Sequence, residues 1–329
     1  MKTELRQSAI RTPHSAILVT GGAGFIGSHL VERLLADGHR VVVIDDLSTG
    51  RLGNLKSVRR HPRLEIIVSK VSKCPQLKSL ARNARCIYHL AAAVGVELVV
   101  REPIRTIHTN LLETEAILEA ASGARTPLLL ASTSEVYGKS TRESFAEGDD
   151  LVIGPPSLTR WSYACSKLMD EFLALAFWRE RQLPVVVARL FNTVGPRQTG
   201  RYGMVLPRFI AAAKAGKPLQ VYGDGRQTRC FCYVQDTVES LVRLMNCPAA
   251  VGEVFNVGGT EETSLQDLAR LVIHVLGSVS KLELIPYDQA YAPGFEDMRR
   301  RKPAIAKLKQ VTGFAPYISL EEIVRRTAL

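Results

Sequence analysis

The feature that most constrains the fold is a glycine-rich loop placed between an apolar strand and a helix. Residues 16–20, Ala-Ile-Leu-Val-Thr, form a short apolar run that is typical of a buried parallel strand. The loop of residues 21–27 follows, and apolar residues at helical spacing then continue to Gly38. Because a second apolar run occupies residues 41–44, the pattern predicts a strand–helix–strand unit.

This loop has the chemistry of a dinucleotide site. Glycines permit a tight turn and a close approach of the backbone to a pyrophosphate, which then lies on the N-terminus of the helix. Asp45 ends the second strand, where a carboxylate accepts hydrogen bonds from ribose hydroxyls and repels a 2′-phosphate. We therefore predict NAD rather than NADP, although a glycine triplet alone would also suit a purely structural turn. The candidate cofactor-binding residues of this segment are Gly21, Gly24, Phe25, Ile26, Gly27 and Asp45.

Strand and helix patterns go on alternating along the chain. We predict strands at residues 64–68, 86–90, 128–132 and 185–190, and helices at residues 103–121 and 161–180. This alternation predicts an α/β fold of the Rossmann type, in which a doubly wound parallel sheet carries helices on both faces. After residue 192, turns become frequent and the elements shorter, with helices at 205–215 and 264–276 and strands at 218–222 and 254–257.

These changes along the chain predict two domains. We expect a flexible N-terminal tail at residues 1–14 and an NAD-binding domain at residues 15–192, with a returning segment at about 231–257. A smaller mixed α/β domain, which binds the substrate, would then comprise residues 193–230 and 258–329.

Composition narrows the class of partner. The 329 residues carry a net charge of +11, which favours anionic partners. The basic residues are scattered and lack an aromatic-rich repeat, so we expect a phosphorylated small molecule rather than nucleic acid. Six dispersed cysteines indicate neither a metal site nor a disulfide framework. No apolar run is long enough for a membrane span or a secretory signal, so we expect a cytoplasmic protein without a membrane partner.

Two polar segments follow the predicted sheet and carry candidate chemistry. Tyr163 and Lys167 are four residues apart on a predicted helix, which places them on one face. An adjacent ammonium lowers the pKa of a tyrosine, and a phenolate can remove a hydroxyl proton while hydride leaves for NAD. Residues 132–135, Ser-Thr-Ser-Glu, end a strand at the edge where ligands bind in such sheets, although Ser and Thr also serve as helix caps.

Six motifs in sequence order give the chain a family resemblance: TGGAGFIG, HLAAAVG, STSEVYG, YACSK, RLFNTVGPR and VYGDGRQTR. Together they resemble the extended short-chain dehydrogenases that modify nucleotide sugars, from about residue 15 to residue 325. The resemblance implies that Thr133, Tyr163 and Lys167 form the active site and that Asn192 and Arg229 contact the substrate diphosphate. It also implies that Val221 and Tyr222 lie at the uracil ring. Leu90, Ala91 and Ala92, with Tyr163 and Lys167, complete the implied cofactor-binding set.

The subgroup is indicated by STSEVYG together with LVIGPPSLTRWSYACSK and YAPGFEDMRRRKPAI, which resemble UDP-glucuronate decarboxylases. This resemblance implies that Ser134, Glu135 and Arg301 serve decarboxylation. Oxidation of the 4-hydroxyl would produce a β-keto acid, which loses carbon dioxide readily, and Arg301 would hold the carboxylate through its forked donors. Two alternatives stay open: a 4-epimerase acting on UDP-glucose or UDP-glucuronate, and a non-catalytic NAD-binding regulator.

The chain also departs from the family pattern. Ser69-Lys70-Val71 stands where an acid usually contacts adenine, Glu113 replaces a frequent glycine, and Cys230 replaces an aspartate after Arg229. By the same resemblance, the helices at 103–121 and 161–180 imply a homodimer. Leu111, Leu118, Phe172 and Leu175 would serve either that contact or the core.

Overall fold

The computed structural model describes residues 15–93, 99, 101–199, 204–290 and 298–329. The predicted tail at residues 1–14 and parts of two motifs lie outside these residues. The strands are β1 (Ile17–Thr20), β2 (Val41–Asp45), β3 (Leu64–Val68), β4 (Cys86–His89), β5 (Leu128–Thr133), β6 (Val185–Leu190), β7 (Thr193–Val194), β8 (Leu219–Tyr222), β9 (Thr228–Cys230), β10 (Cys232–Tyr233), β11 (Val254–Val257), β12 (Glu262–Ser264), β13 (Leu282–Ile285) and β14 (Arg300–Arg301). The helices are α1 (Phe25–Ala36), α2 (Leu77–Asn83), α3 (Pro103–Ser122), α4 (Ser162–Arg181), α5 (Val205–Lys214), α6 (Val234–Met245), α7 (Leu265–Val275), α8 (Tyr287–Ala290), α9 (Ala306–Thr312) and α10 (Leu320–Ala328).

Seven strands form one parallel sheet in the order β3-β2-β1-β4-β5-β6-β11. The first six follow the Rossmann order, so the predicted doubly wound fold is confirmed. Alternate residues of each strand enter different hydrophobic cores, because successive side chains point to opposite faces. Val19 packs in a core with α1 and α6, whereas Leu18 packs in a core with α3 and α4.

A smaller group of elements stands beside the carboxyl ends of this sheet. Its strands pair as β8 with β13 and as β12-β9-β14, and α5, α7 and α10 supply most of a third hydrophobic core. Within it, β14 runs parallel to β9, so that Arg301 is the register partner of Arg229. The pairing therefore brings two predicted substrate-contacting arginines together from positions 72 residues apart.

Several predicted boundaries shift for local reasons. Ser264, which starts the helix predicted at 264–276 and was expected to cap it, caps α7 and accepts a hydrogen bond from the Asp267 backbone at 3.0 Å. The helix predicted from residue 161 begins at Ser162, because Thr159–Trp161 form a separate 3₁₀ turn. Leu118 is fully buried in the core beside the sheet, so it packs within the subunit rather than against another copy. No described helix is both long and apolar enough to cross a membrane.

Candidate active site

A cavity of about 390 Å³ lies where the carboxyl ends of the central strands face the smaller group of elements. This volume is in the range of small-molecule sites, and the position is the one at which open parallel sheets bind ligands. Nearly all of the candidate residues line it: Gly21, Gly24, Phe25, Ile26, Gly27, Asp45, Leu90, Ala91, Ala92, Thr133, Ser134, Glu135, Tyr163, Lys167, Asn192, Tyr222, Arg229 and Arg301.

The glycine-rich loop forms one end of the cavity. Gly21 adopts a φ of 72°, and a Cβ there would lie 2.8 Å from the Ala91 nitrogen. At Gly27 a Cβ would overlap the Gly21 carbonyl oxygen and lie 2.8 Å from the Gly22 Cα. The first turn of α1 has neither an acidic residue nor a side-chain cap, so its N–H groups can receive an anion. These features fit the pyrophosphate of NAD.

We expect Gly27→Ala to weaken NAD binding and lower stability by about 1–3 kcal/mol, because the added methyl group overlaps rigid backbone. Gly53→Ala is the matched control, since a Cβ at Gly53 meets nothing within 4 Å. Thermal unfolding and NAD titration measure both effects. Unchanged NAD affinity in Gly27→Ala would contradict this prediction, because the loop would then accommodate the added methyl group without moving away from the cofactor.

Asp45 joins the glycine-rich loop to the second strand. Its carboxylate accepts hydrogen bonds from the backbone N–H groups of Ala23 at 2.9 Å and Leu47 at 2.8 Å. Burial raises the pKa of Asp45, and these backbone donors oppose that rise. The carboxylate therefore holds the loop as well as lining the cavity, and it would offer its remaining lone pairs to a ribose.

Lys70 and Glu113, which depart from the family pattern, differ in their exposure to solvent. Lys70 is exposed at the cavity rim. Glu113 is buried and accepts hydrogen bonds from the Ser72 backbone at 2.8 Å and the Ser72 hydroxyl at 2.6 Å. The Glu113 side chain therefore links α3 to the turn after β3 through hydrogen bonds that a glycine could not make.

Thr133, Tyr163 and Lys167, the predicted active-site residues, meet in the middle of the cavity. Thr133 ends β5, and its hydroxyl makes a hydrogen bond with the phenol of Tyr163, which favours the phenolate. Lys167 lies one turn further along α4 and is 2% exposed, with its Nζ 2.7 Å from the Asp170 carboxylate. Burial raises the pKa of Tyr163 well above its usual range, and the negative charge of Glu135 adds to that rise.

Beside Tyr163 lies a cluster of three charged side chains. Glu135 pairs with the buried guanidinium of Arg160 and lies 3.4 Å from Arg301 Nη1, which is also 3.4 Å from the Ser134 hydroxyl oxygen. Although burial alone would raise the pKa of Glu135, the two arginines outweigh it and lower that pKa. Two guanidinium groups therefore contact one carboxylate at the wall of the cavity.

The far end of the cavity carries the predicted nucleotide contacts. Asn192 has a φ of 29° and donates from its amide to the Cys230 carbonyl at 2.9 Å, which fixes it at the end of β6. Arg229 is buried on β9 and donates to the Thr228 carbonyl at 2.8 Å. Tyr222 lines the cavity, but the Val221 side chain does not, because it packs in the third core.

Sequence analysis missed several residues that line the cavity. The guanidinium of Arg208 stacks 4.0 Å from the ring centre of Tyr222, and Gln227 donates to the Tyr222 carbonyl and the Tyr287 hydroxyl at 2.9 and 3.0 Å. Gln227 was within a quoted motif, whereas Arg208 lies on a helix whose charged residues otherwise suggest a solvated face. Arg160 stands three residues before Tyr163, and that helical spacing was the available signal.

Comparison with known proteins agrees with this geometry. The family model described as GDP-mannose 4,6 dehydratase matches residues 18–327. A UDP-N-acetyl-alpha-D-glucosaminuronate decarboxylase of Bacillus cytotoxicus is 40% identical over 94% of this chain and 95% of its own length. UDP-glucuronic acid decarboxylase 1 of Xenopus tropicalis is 38% identical over 94% of this chain and 70% of its own length.

The solved structures include a related site that holds ligands. UDP-glucuronic acid 4-epimerase from Bacillus cereus, in complex with UDP-glucuronic acid and NAD, superposes with a TM-score of 0.85. It is 30% identical, and the likeness covers 95% of this chain and 98% of the epimerase. The similarity thus extends through both groups of elements that border the cavity.

Proposed function

Since this chain belongs to the GDP-mannose 4,6 dehydratase family of extended short-chain dehydrogenases, we propose that it is an NAD-dependent UDP-hexuronate decarboxylase. The cluster of Arg160, Glu135 and Arg301 beside Tyr163 carries this proposal. Guanidinium groups at the cavity wall favour a sugar that bears a carboxylate over a neutral sugar, because they bind a carboxylate through charge-assisted hydrogen bonds. The names of the two decarboxylase relatives support the same choice.

The reaction begins with oxidation at carbon 4 of the sugar. The glycine-rich loop and Asp45 would hold NAD, which would supply the acceptor for the hydride from that carbon. Tyr163 takes the hydroxyl proton, and Thr133, whose hydroxyl reaches the Tyr163 phenol, is placed to orient the same sugar oxygen. Lys167 carries a positive charge near the phenol and favours its ionised form.

Carbon dioxide is then lost from the β-keto acid. The bond between carbons 5 and 6 breaks, its electron pair passes toward the ketone oxygen, and the resulting enolate takes a proton at carbon 5. Arg301 can hold the sugar carboxylate before this step, while Arg160 neutralises Glu135. Glu135 lines the cavity beside Arg301.

A 4-epimerase is the second candidate, and the similarity to the Bacillus cereus UDP-glucuronic acid 4-epimerase favours it. Epimerisation needs the same oxidation and a rotation of the keto sugar before hydride returns, so Tyr163 and Lys167 would serve equally. In that reaction Arg301 would bind a carboxylate without promoting its loss. The two reactions therefore differ in the fate of one carbon–carbon bond.

Product mass separates the candidates. The purified chain is incubated with NAD and either UDP-glucuronate or its 2-acetamido analogue, and the products are followed by mass spectrometry. We expect loss of carbon dioxide from at least one of the two. An isomer of unchanged mass would overturn decarboxylation in favour of epimerisation, and turnover of UDP-glucose alone would overturn the preference for an acid.

Arg301 gives a sharper test of the same proposal. We expect Arg301→Met to lower kcat/KM for the hexuronate about 10- to 100-fold, because a hydrogen bond to a charged group contributes ~1.5–3 kcal/mol and the methionine also leaves Glu135 with one partner fewer. NAD affinity should stay near wild type. Arg299→Met is the matched control, since Arg299 is exposed and pairs with Asp224 at the surface. Equal effects of the two substitutions would remove Arg301 from the site.

We also propose a homodimer that works in the cytoplasm. Helices α3 and α4 pack together and expose Ile104, Leu112, Met169 and Phe172, of which Phe172 is 62% exposed. Exposed apolar side chains on adjacent helices favour contact with a second copy. Analytical ultracentrifugation tests the dimer, and cell fractionation tests the location.

A further inference from the structure

Asp170 is a buried charge that the proposed reaction has not yet used. It lies on α4, is 0% exposed, and its Oδ2 is 2.7 Å from the Nζ of Lys167. Its other oxygen, Oδ1, accepts no hydrogen bond from the described residues. A carboxylate held in this way is costly unless its charge serves the ammonium beside it.

We propose that Asp170 is a positioning residue for the proton-accepting pair: its carboxylate holds the Lys167 ammonium, and its negative charge opposes release of the Tyr163 proton. This inference rests on the proposed role of Tyr163 as the proton acceptor. It adds a residue to which neither the motifs nor the comparisons assign a role. The resulting series along α4 is Tyr163, Lys167 and Asp170, spaced by four and three residues on one side of the helix.

Asp170 is the charged partner of Lys167. Both side chains are almost completely removed from water, where a lone ammonium would be costly to bury. Because Lys167 has three N–H donors, it can contact Asp170 and still offer two donors to the cavity that it lines.

The same carboxylate also opposes ionisation of Tyr163. Asp170 contributes to the raised pKa of Tyr163, after burial and Glu135. Removing a negative charge makes the first proton easier to lose from the Tyr163–Lys167 pair, whichever of the two groups releases it. The apparent pKa of the pair must therefore fall when Asp170 is neutralised.

The other acidic and histidine side chains that face the Tyr163–Lys167 pair are either neutral or paired with arginines. Burial, assisted by the Lys167 ammonium, lowers the pKa of His89 to about 3, so that ring is neutral near pH 7. Glu135 is compensated by two arginines, and Glu171 is paired with Arg189. The groups that face the pair are His89 from β4, the Thr114 hydroxyl from α3, Glu135 from the turn after β5, Arg301 from β14, and Asp170 and Glu171 from α4.

Asp170→Asn tests the inference because it keeps the shape of the side chain and removes its charge. In the NAD-loaded protein, the ultraviolet absorbance of the Tyr163 phenolate is titrated as the difference between each protein and its Tyr163→Phe counterpart. We expect the apparent pKa to fall by about one unit in Asp170→Asn, and the acidic limb of the kcat profile to move by the same amount. Asp170→Glu, which restores the charge, should return both toward wild type.

Asp236→Asn is the matched control, because it makes the same substitution at a buried carboxylate of α6 that does not line the cavity and accepts hydrogen bonds from the Tyr317 and Ile318 backbone. It should lower the melting temperature without moving the phenolate titration. If Asp170→Asn changes only the melting temperature, Asp170 is structural and the inference is overturned. The absorbance titration needs no substrate, so a wrong choice of sugar would appear as absent turnover while the shift in pKa persists. If Asp170→Asn does not fold, Asp170→Ser decides in its place, since it also removes the charge and should lower the same apparent pKa.

Discussion

Tyr163→Phe should lower turnover of the hexuronate by about 10³-fold or more while NAD stays bound. The substitution removes one hydroxyl from a buried position next to Thr133 and leaves the ring in place. Without that oxygen the 4-hydroxyl loses its proton acceptor at the moment of oxidation, and general base catalysis contributes about 10²–10⁴-fold. Single-turnover measurement of NADH absorbance follows the oxidation directly, and fluorescence titration measures NAD binding.

Tyr137→Phe is the matched control for this result. Tyr137 is equally buried, but its hydroxyl donates to the Asn256 side chain at 2.8 Å and the residue does not line the cavity. Its loss should cost about 1 kcal/mol of stability, the usual contribution of one hydrogen bond, with kcat close to wild type. Activity of Tyr163→Phe within tenfold of wild type would refute its role as the proton acceptor.

The sheet could be predicted from the sequence because its strands are short and mostly apolar runs. Residues 41–44 and Val185–Leu190 are buried on both faces, so every position has to be apolar or internally paired. The glycine-rich loop could also be predicted, because close backbone contacts, rather than turn propensity, require its glycines. Local sequence patterns are therefore sufficient to predict the sheet and the cofactor end of the cavity.

The substrate end depends on contacts between distant segments, and sequence reasoning was weaker there. Val221 was predicted at the uracil position, but its side chain enters a core, because alternate residues of β8 point in opposite directions. Arg160 was overlooked because an arginine ahead of a helix usually lies in solvent, whereas here it is buried against Glu135. The meeting of Arg301 with Glu135 follows from the pairing of β14 with β9, which no short motif encodes.

A buried polar network beneath the cavity predicts the second large effect, which is on stability. Arg189 on β6 donates to both oxygens of Glu171 on α4 at 2.8–3.2 Å, and Glu171 also accepts from the Ser132 hydroxyl. We expect Arg189→Met to lower the free energy of unfolding by about 3–5 kcal/mol, since it leaves a buried carboxylate without its charged partner. Denaturant unfolding with and without NAD measures the change.

Arg40→Met is the matched control, because Arg40 pairs with Glu65 at 3.1 Å on the surface, where both side chains are about half exposed. Exposed pairs contribute ~0–1 kcal/mol, so this variant should unfold close to wild type.

Ser132 immediately precedes Thr133, and the Arg189 side chain also reaches the Glu147 carbonyl at 3.4 Å. The network thus connects the strand that carries Thr133 to the segment around Glu147, so Arg189→Met should lose activity below the temperature at which it unfolds. Full activity up to that temperature would show that the network stabilises the sheet without positioning Thr133.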